Sequence, residues 1–484
     1  MYNLRSKSRN AKPKNANPPK PQPAKPKGKA TRDRVRDKPK QITEDHDVDL
    51  DETLPIEEFM ENYKRKAEQD SESKTKKAKI EETPVVTSGL VMTFGDDFCG
   101  ELGLKKTGFS KKRPVLVEGI KQKVTQIVCG GMHNVCITTN GEIYSWGCND
   151  EGALGRKTDN PPKGRNLEAE PNKVPFLSKA KKVTAGDSHS AALTSHGEIY
   201  IWGNFKDSTG NIGIKPDSDS LDGQFQPLRI ELPDTNFVDL ASGIDHILLL
   251  TDTGVVYSIG SGEQGQLGRL EKNEWKEIKN KRDIYLKPAI VKFDDESIRC
   301  DQIWAGQYSS FARAKNGDIY AWGLNNYSQL GIPQTNTHQD DLVVPFPIQI
   351  SSLSKLNGQV EQICQGQHFM LVRDSTGKVY SCGRHEYGRL GHGEIDNSLE
   401  EPKLIEKLDT ENIKCIATGS INSFAVNEKG HLYSWGMSGT SLGLGDDDVW
   451  EPTLVESKNL STHHVISVSA GSQHTVIIVT PKSD

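Results

Sequence analysis

From Gly89 onward the chain is a succession of short apolar stretches broken by glycines and polar turns. A stretch of small residues ends in glycine, as in "VTAGDSH"; a second small apolar stretch follows, as in "SAALT"; then comes a turn such as "NG" or "HG". A third stretch closes on an aromatic pattern and glycine: "IYSWG", "IYIWG", "VYSIG", "IYAWG", "VYSCG", "LYSWG". Each stretch reads as a β-strand, and the turns between them as hairpins. Asn140-Gly141 and Asn316-Gly317 are strong hairpin signals, because both central turn residues accept positive φ. A polar loop ending in "LG" or "IG", and usually a proline, leads to the next unit.

The glycine that ends the third stretch falls at 95, 147, 203, 260, 323, 383 and 436. A period of 50 to 60 residues with about four short strands predicts propeller blades rather than helical repeats. Six units are complete; "GLVMTFGDDFCGELGL" supplies the late strands of a seventh and "VISVSAGSQHTVIIV" its early ones. The prediction is an all-β, seven-bladed propeller over 87–484, its repeats spanning 88–480. One blade is split between the terminal segments, which closes the ring and hides two sheet edges.

Composition changes the picture before that point. Residues 1–40 hold 14 Lys and Arg against 2 Asp and Glu, a charge of +12, so the rest must carry −17 for the whole to reach −5. This arm is rich in proline and poor in apolar residues, so 1–86 is expected to be a disordered tail. Arg5, Lys7, Arg9, Lys12 and Lys14 are candidate phosphate contacts to DNA, independent of sequence and weakened by salt. Lys64, Arg65 and Lys66, then Lys76, Lys77 and Lys79, form two basic clusters about a spacer, resembling a bipartite nuclear localisation signal for an import receptor. No stretch suits a membrane span or a secretory signal. The eight cysteines sit singly and read as small core residues in a reducing compartment.

The repeats serve as an internal alignment: positions alike in every unit build the blade, and positions that vary are open to function. Two residues past the first-strand glycine the units read Met132, Ser188, Asp245, Tyr308, His368, Ile421 and Gln473. With Asp187 one step earlier, Asp245 and His368 are expected on one rim near the central channel. One residue further, histidine recurs at 133, 189, 246 and 474, which suits either a buried ring bonded between blades or a partner contact. No metal-ligand spacing, Walker loop, nucleophile elbow or hydrolytic triad is present, so neither a cofactor nor covalent catalysis is expected.

Two departures from the rhythm stand out. The loop after the third strand runs eight residues from glycine to glycine at 147–155, 260–268, 323–331 and 383–391, but ten at 203–213. Phe205 and Ile212 are poor choices for a freely solvated tip. The second departure is the basic insert after Arg269, "LEKNEWKEIKNKRDIYLKP".

"GGMHNVC", "CNDEGALGR", "AGDSHSAALT", "GEQGQLGR" and "EYGRLG" together resemble the regulator of chromosome condensation family. The resemblance implies a chromatin-bound guanine-nucleotide exchange factor for the small GTPase Ran, a nuclear monomer acting without covalent chemistry. By position it implies an exchange tool formed by Phe205, Lys206, Asp207, Ser208 and Thr209, with Asp245 and His368 acting in turnover. Asp187, His133, His474 and Arg269 match residues that support Ran binding. A family aspartate falls on Phe98, leaving Asp97 as its substitute, and a family histidine is Ser328. The basic insert would anchor on the acidic patch of the core histones through Arg282, with Lys279 and Lys281. The alternative is a propeller scaffold on chromatin or in a ubiquitin pathway, without exchange.

Overall fold

The computed structural model describes residues 87–482 apart from 177, 217, 219, 272–281, 335–341 and 357. Their strands form seven four-stranded sheets and one two-stranded hairpin. In the second blade the order from channel to rim is Ala180–Ala185, His189–Thr194, Ile199–Gly203 and Gln224–Ile230, all antiparallel. The seventh sheet joins His463–Ala470 and His474–Pro481 to Leu90–Asp97 and Phe109–Leu116. Phe94 lies opposite Thr475 and Leu90 opposite Val479, so the expected split blade is present.

Packing explains the sequence pattern. The second strand is buried along its whole length in blades 1, 2, 3 and 6, at His133–Thr138, His189–Thr194, His246–Thr251 and Asn422–Asn427, because neighbouring blades cover both its faces. It therefore reads as continuous small apolar sequence rather than as an alternation. Val135 and Ile137 of blade 1 pack with Val183, Ala192 and Trp202 of blade 2 in one such layer. The tryptophans of the third strands point the same way. Trp146, Trp202, Trp322 and Trp435 are fully buried, and each indole N–H donates to a main-chain carbonyl, of Glu101, Ala153, Gln266 and Arg389 in turn. An indole left unpaired there would cost about 1–3 kcal/mol.

The first-strand glycines let adjacent blades meet at the channel. A Cβ on Gly130 would stand 2.2 Å from the His133 ring and 2.5 Å from the carbonyl oxygen of Gly186 in the next blade. Gly186 meets His189 and Gly243 in the same way, and Gly471 meets His474 and Gly130. The N–H of Ser472 donates to the Gly131 carbonyl at 3.1 Å, tying blade 7 to blade 1.

The Asn-Gly turns form hairpins but not of the expected kind. Gly141 and Gly317 have φ of 76° and 95°, whereas Asn140 and Asn316 are not left-handed. The N–H of Gly141 donates to the Thr138 carbonyl at 2.9 Å, closing a longer turn in which one glycine takes the whole strain. Thr253-Gly254 turns in the same way, with a β-branched residue that resists positive φ. All eight cysteines are free thiols, four of them buried, and burial pushes Cys136 and Cys382 up to about 12. No helix of the described residues is long and apolar enough to cross a membrane.

Candidate functional site

The loops that follow the first-strand glycines share one rim. The Asp187 N–H donates to the Ile244 carbonyl at 2.9 Å, Ile244 to Gln307 at 3.2 Å and Gln367 to Ser420 at 2.8 Å. They surround a channel cavity of about 460 Å³ lined by Gly131, Asp187, Ile244, Tyr308 and their counterparts. Asp187 is exposed there, lying against Gly131 of the neighbouring blade, where an added Cβ would come within 2.2 Å of its Oδ1.

The ten-residue phrase is the two-stranded hairpin, Phe205–Asp207 paired with Gly210–Gly213. Its tip, Ser208, Thr209 and Gly210, is exposed, while Lys206 and Asp207 are half-buried. Thr209 is turned by its N–H and hydroxyl donating to Asp207 Oδ1 at 2.7 and 2.6 Å. The base is bound to the rim: the Lys206 N–H donates to Asp245 Oδ1 at 2.8 Å. Ser208 donates from its N–H and hydroxyl to Glu263 at 2.7 and 2.6 Å, and Asn211 donates to Glu151 at 2.9 Å. The Lys206 ammonium stands 3.7 Å from Glu151.

Phe205 is not part of the exposed tool. Its side chain is fully buried, 4.7 Å from the His189 ring, and joins Ile212 and Ile214 in the core beneath the hairpin. The apolar residues that looked unsuited to a solvated tip are its anchors.

Asp245 sits in an acidic neighbourhood. Burial, followed by the charges of Asp187 and Asp207, pushes its carboxyl up to about 7 against the pull of the Lys206 N–H. Burial, then the carboxylates of Asp245 and Asp187, raise Tyr308. His368 stands at the equivalent rim position in another cluster, with left-handed φ of 64°. Its Nδ1 is 3.0 Å from Asn326 Oδ1 and its ring packs on Tyr327. Burial, then Arg384 and Arg389, lowers it to about 4, so the imidazole is neutral at pH 7.

Several residues expected at the partner surface lie below it. His133 and His474 are 1% exposed, bonded to Ser190 Oγ at 2.8 Å and Asn134 Oδ1 at 2.9 Å across blade junctions. Ser190 gives its hydroxyl hydrogen to the Ala153 carbonyl, so His133 Nε2 is the donor to Ser190. Arg269 is buried, donating to Ser258 Oγ at 3.0 Å and the Ile284 carbonyl at 2.7 Å. Asp97 is buried, accepts the Gly100 N–H at 2.6 Å, and is raised to about 7 by burial and Glu101. All four side chains are buried and hydrogen-bonded within the propeller. Phe98, by contrast, is 58% exposed.

Arg282 also departs from expectation. Its guanidinium donates to the main-chain carbonyls of Ile212 at 2.7 Å, Ser220 at 3.1 Å, Lys215 at 3.3 Å and Ser218. It is engaged with these carbonyls within the propeller. Lys279, Lys281, the basic arm and the paired basic clusters lie outside the described residues. Glu151 and Glu263, which hold the hairpin, escaped the internal alignment because it followed only the loops after the first strands. The loops after the third strands face the same rim. Among the described residues no group of three or more His, Cys, Asp or Glu is placed to hold a metal ion.

Residues 90–477 match the RCC1-like domain family. The chain is 38% identical over 422 residues to the human protein "Regulator of chromosome condensation", covering 85% of this chain and 96% of that one. A solved structure of Prp20p from Saccharomyces cerevisiae, described with its binding to Gsp1p and histones, superposes with a TM-score of 0.73 at 30% identity. It covers 82% of this chain and 93% of that one. The yeast RCC1 (Prp20) bound to Kap60 gives a TM-score of 0.73 at 29% identity, covering 85% and 96%.

Proposed function

This chain belongs to the regulator of chromosome condensation family, and from that membership we propose that it is a guanine-nucleotide exchange factor for Ran. It acts in the nucleus on chromatin, with core histones, nucleosomal DNA and import receptors as further partners. The relatives' binding to Gsp1p, the yeast Ran, to histones and to Kap60 supports the same set.

The observation that carries the mechanism is the bond between the Lys206 N–H and Asp245 Oδ1. It fixes the lengthened 203–213 loop and the acidic rim to the same face. A GTPase holds nucleotide through main-chain N–H groups, a lysine and Mg²⁺ on the phosphates. A partner that binds the emptied form better than the loaded form lowers nucleotide affinity by that same ratio. The tip 208–210 supplies the wedge; Asp187, Asp207 and Asp245 offer carboxylates to the lysine and N–H groups that the phosphates leave. No bond is made or broken covalently. Each factor of ten in release requires about 1.4 kcal/mol of such preference. Release of labelled GDP from Ran by the purified chain tests the reading; no acceleration would leave only the scaffold alternative.

A further inference from the structure

We infer that Arg282 is a positioning residue for exchange: its guanidinium holds the 205–213 hairpin in the posture in which the tip and Asp245 act together. The inference rests on the exchange reading above. One guanidinium collects four carbonyls, from Ile212 in the hairpin's second strand and from Lys215, Ser218 and Ser220 in the segment that returns to blade 2. A lysine ammonium, a point charge with three donors, cannot span that set. The hairpin is thus held from two sides, its first strand and tip by Asp245 and Glu263, its second strand by Arg282.

Two further features belong to the clamp. Gly213, which closes the lengthened phrase, has φ of 80°, and a Cβ there would stand 2.5 Å from Arg282 Nη2. The short helix Arg282–Leu286 places Tyr285 and Leu286 in the same core as Phe205, Ile212 and Ile214. Arg269 fixes that helix to blade 3 through the Ile284 carbonyl at 2.7 Å. A chain of contacts therefore runs from the basic insert, through Arg282, to the exchange tip. Among the described residues every acceptor that Arg282 meets is a main-chain carbonyl, and its charge strengthens these bonds.

The test uses the full-length chain as wild type, Arg282→Ala, Arg282→Lys and Gly213→Ala. Amide hydrogen exchange is followed across 199–213, alongside nucleotide release at varied Ran concentration. Arg282→Ala and Gly213→Ala should speed amide exchange at 205–213 by about tenfold or more, leaving Ile199–Gly203 protected as in wild type. Both should lower kcat about tenfold while KM for Ran stays within about threefold, as misplacement of a working group does. Arg282→Lys should restore part of each. Arg282→Ala or Gly213→Ala that keeps both the hairpin protection and the kcat of wild type overturns the clamp and leaves the exchange reading intact. Loss of protection across the whole of blade 2 overturns it too, since the arginine is then a fold residue. A wild-type chain that releases no nucleotide overturns the exchange reading, and this inference with it.

Discussion

The main-chain N–H of Lys206 and Oδ1 of Asp245 are joined at 2.8 Å, although the residues belong to different blades. The bond makes the lengthened loop of blade 2 and the acidic rim of blade 3 one surface. Since a carboxylate accepting a backbone N–H is a strong, oriented contact, the hairpin has little freedom to swing from the rim.

Glu263 receives both donors of Ser208 and is the tip's second tether. Glu263→Ala should free the tip without touching the core, lowering exchange on Ran about three- to tenfold, in the range of a lost charged hydrogen bond. Thermal unfolding should move little, because the contact is exposed. Stopped-flow nucleotide release beside calorimetry checks both halves.

Asp245 should trade stability for function. Its folded pKa, raised from 3.8 to about 7, means the folded state keeps a proton that the unfolded chain gives up. Stability is therefore lost as pH climbs from about 4 to 7. Asp245→Asn keeps an acceptor for Lys206 and should be the more stable protein at pH 8, by about 1–2 kcal/mol after solvent screening, with the gain fading towards pH 4. Denaturant midpoints at the two pH values measure it. If the ionised carboxylate is the working form, catalysed release should rise through pH 7 in wild type and flatten in the variant.

The junction histidines set an acid limit. Burial lowers His133 to about 4, and His246 and His474 to about 3, and it drives His189 well down. Among the described residues the Nδ1 atoms of His189, His246 and His474 meet no partner, so a second ring proton would be unpaired in the core. Depressed imidazole pKa values contribute stability above the unfolded value near 6.5 that is lost as pH falls towards the folded values. Blade 6 carries Asn422 at this position. His246→Asn should fold and should flatten the stability profile between about pH 6 and 4, read by thermal melts across that range.

Residues 1–86 should be dispensable for exchange and needed for DNA. Removing them should leave nucleotide release from Ran within about twofold, and reduce the slope of log affinity for DNA against log salt, since about one counterion is lost per phosphate contact. Fluorescence anisotropy at several salt concentrations gives the slope.

The blades were legible because a single repeated constraint wrote them: a second strand covered on both faces, an indole that needs a carbonyl, a glycine where two blades meet. The split blade followed from the two half-repeats alone. Side-chain direction was less legible. Phe205 and Ile212 look misplaced in a loop until the core beneath the hairpin is seen, and nothing in "KNKRDIYLKP" says that Arg282 turns inward to carbonyls seventy residues earlier. The same limit applied to the histidines: recurrence left a buried ring and a partner contact both open for His133 and His474, and their burial at the blade junctions could not be read from the sequence. The rim placement of Asp245 was readable because it varies at a position where the blade itself demands nothing.

The central claim is that one rim carboxylate and the adjoining finger together expel nucleotide from Ran. Its most direct measurement is release of fluorescent GDP from Ran by the full-length chain, wild type against Asp245→Ala and a deletion of 206–209. The account predicts strong acceleration by wild type and a loss of about tenfold or more in each variant, with the double variant no worse than the worse single one, as expected of parts that act as a unit. Acceleration undiminished in both single variants would contradict it.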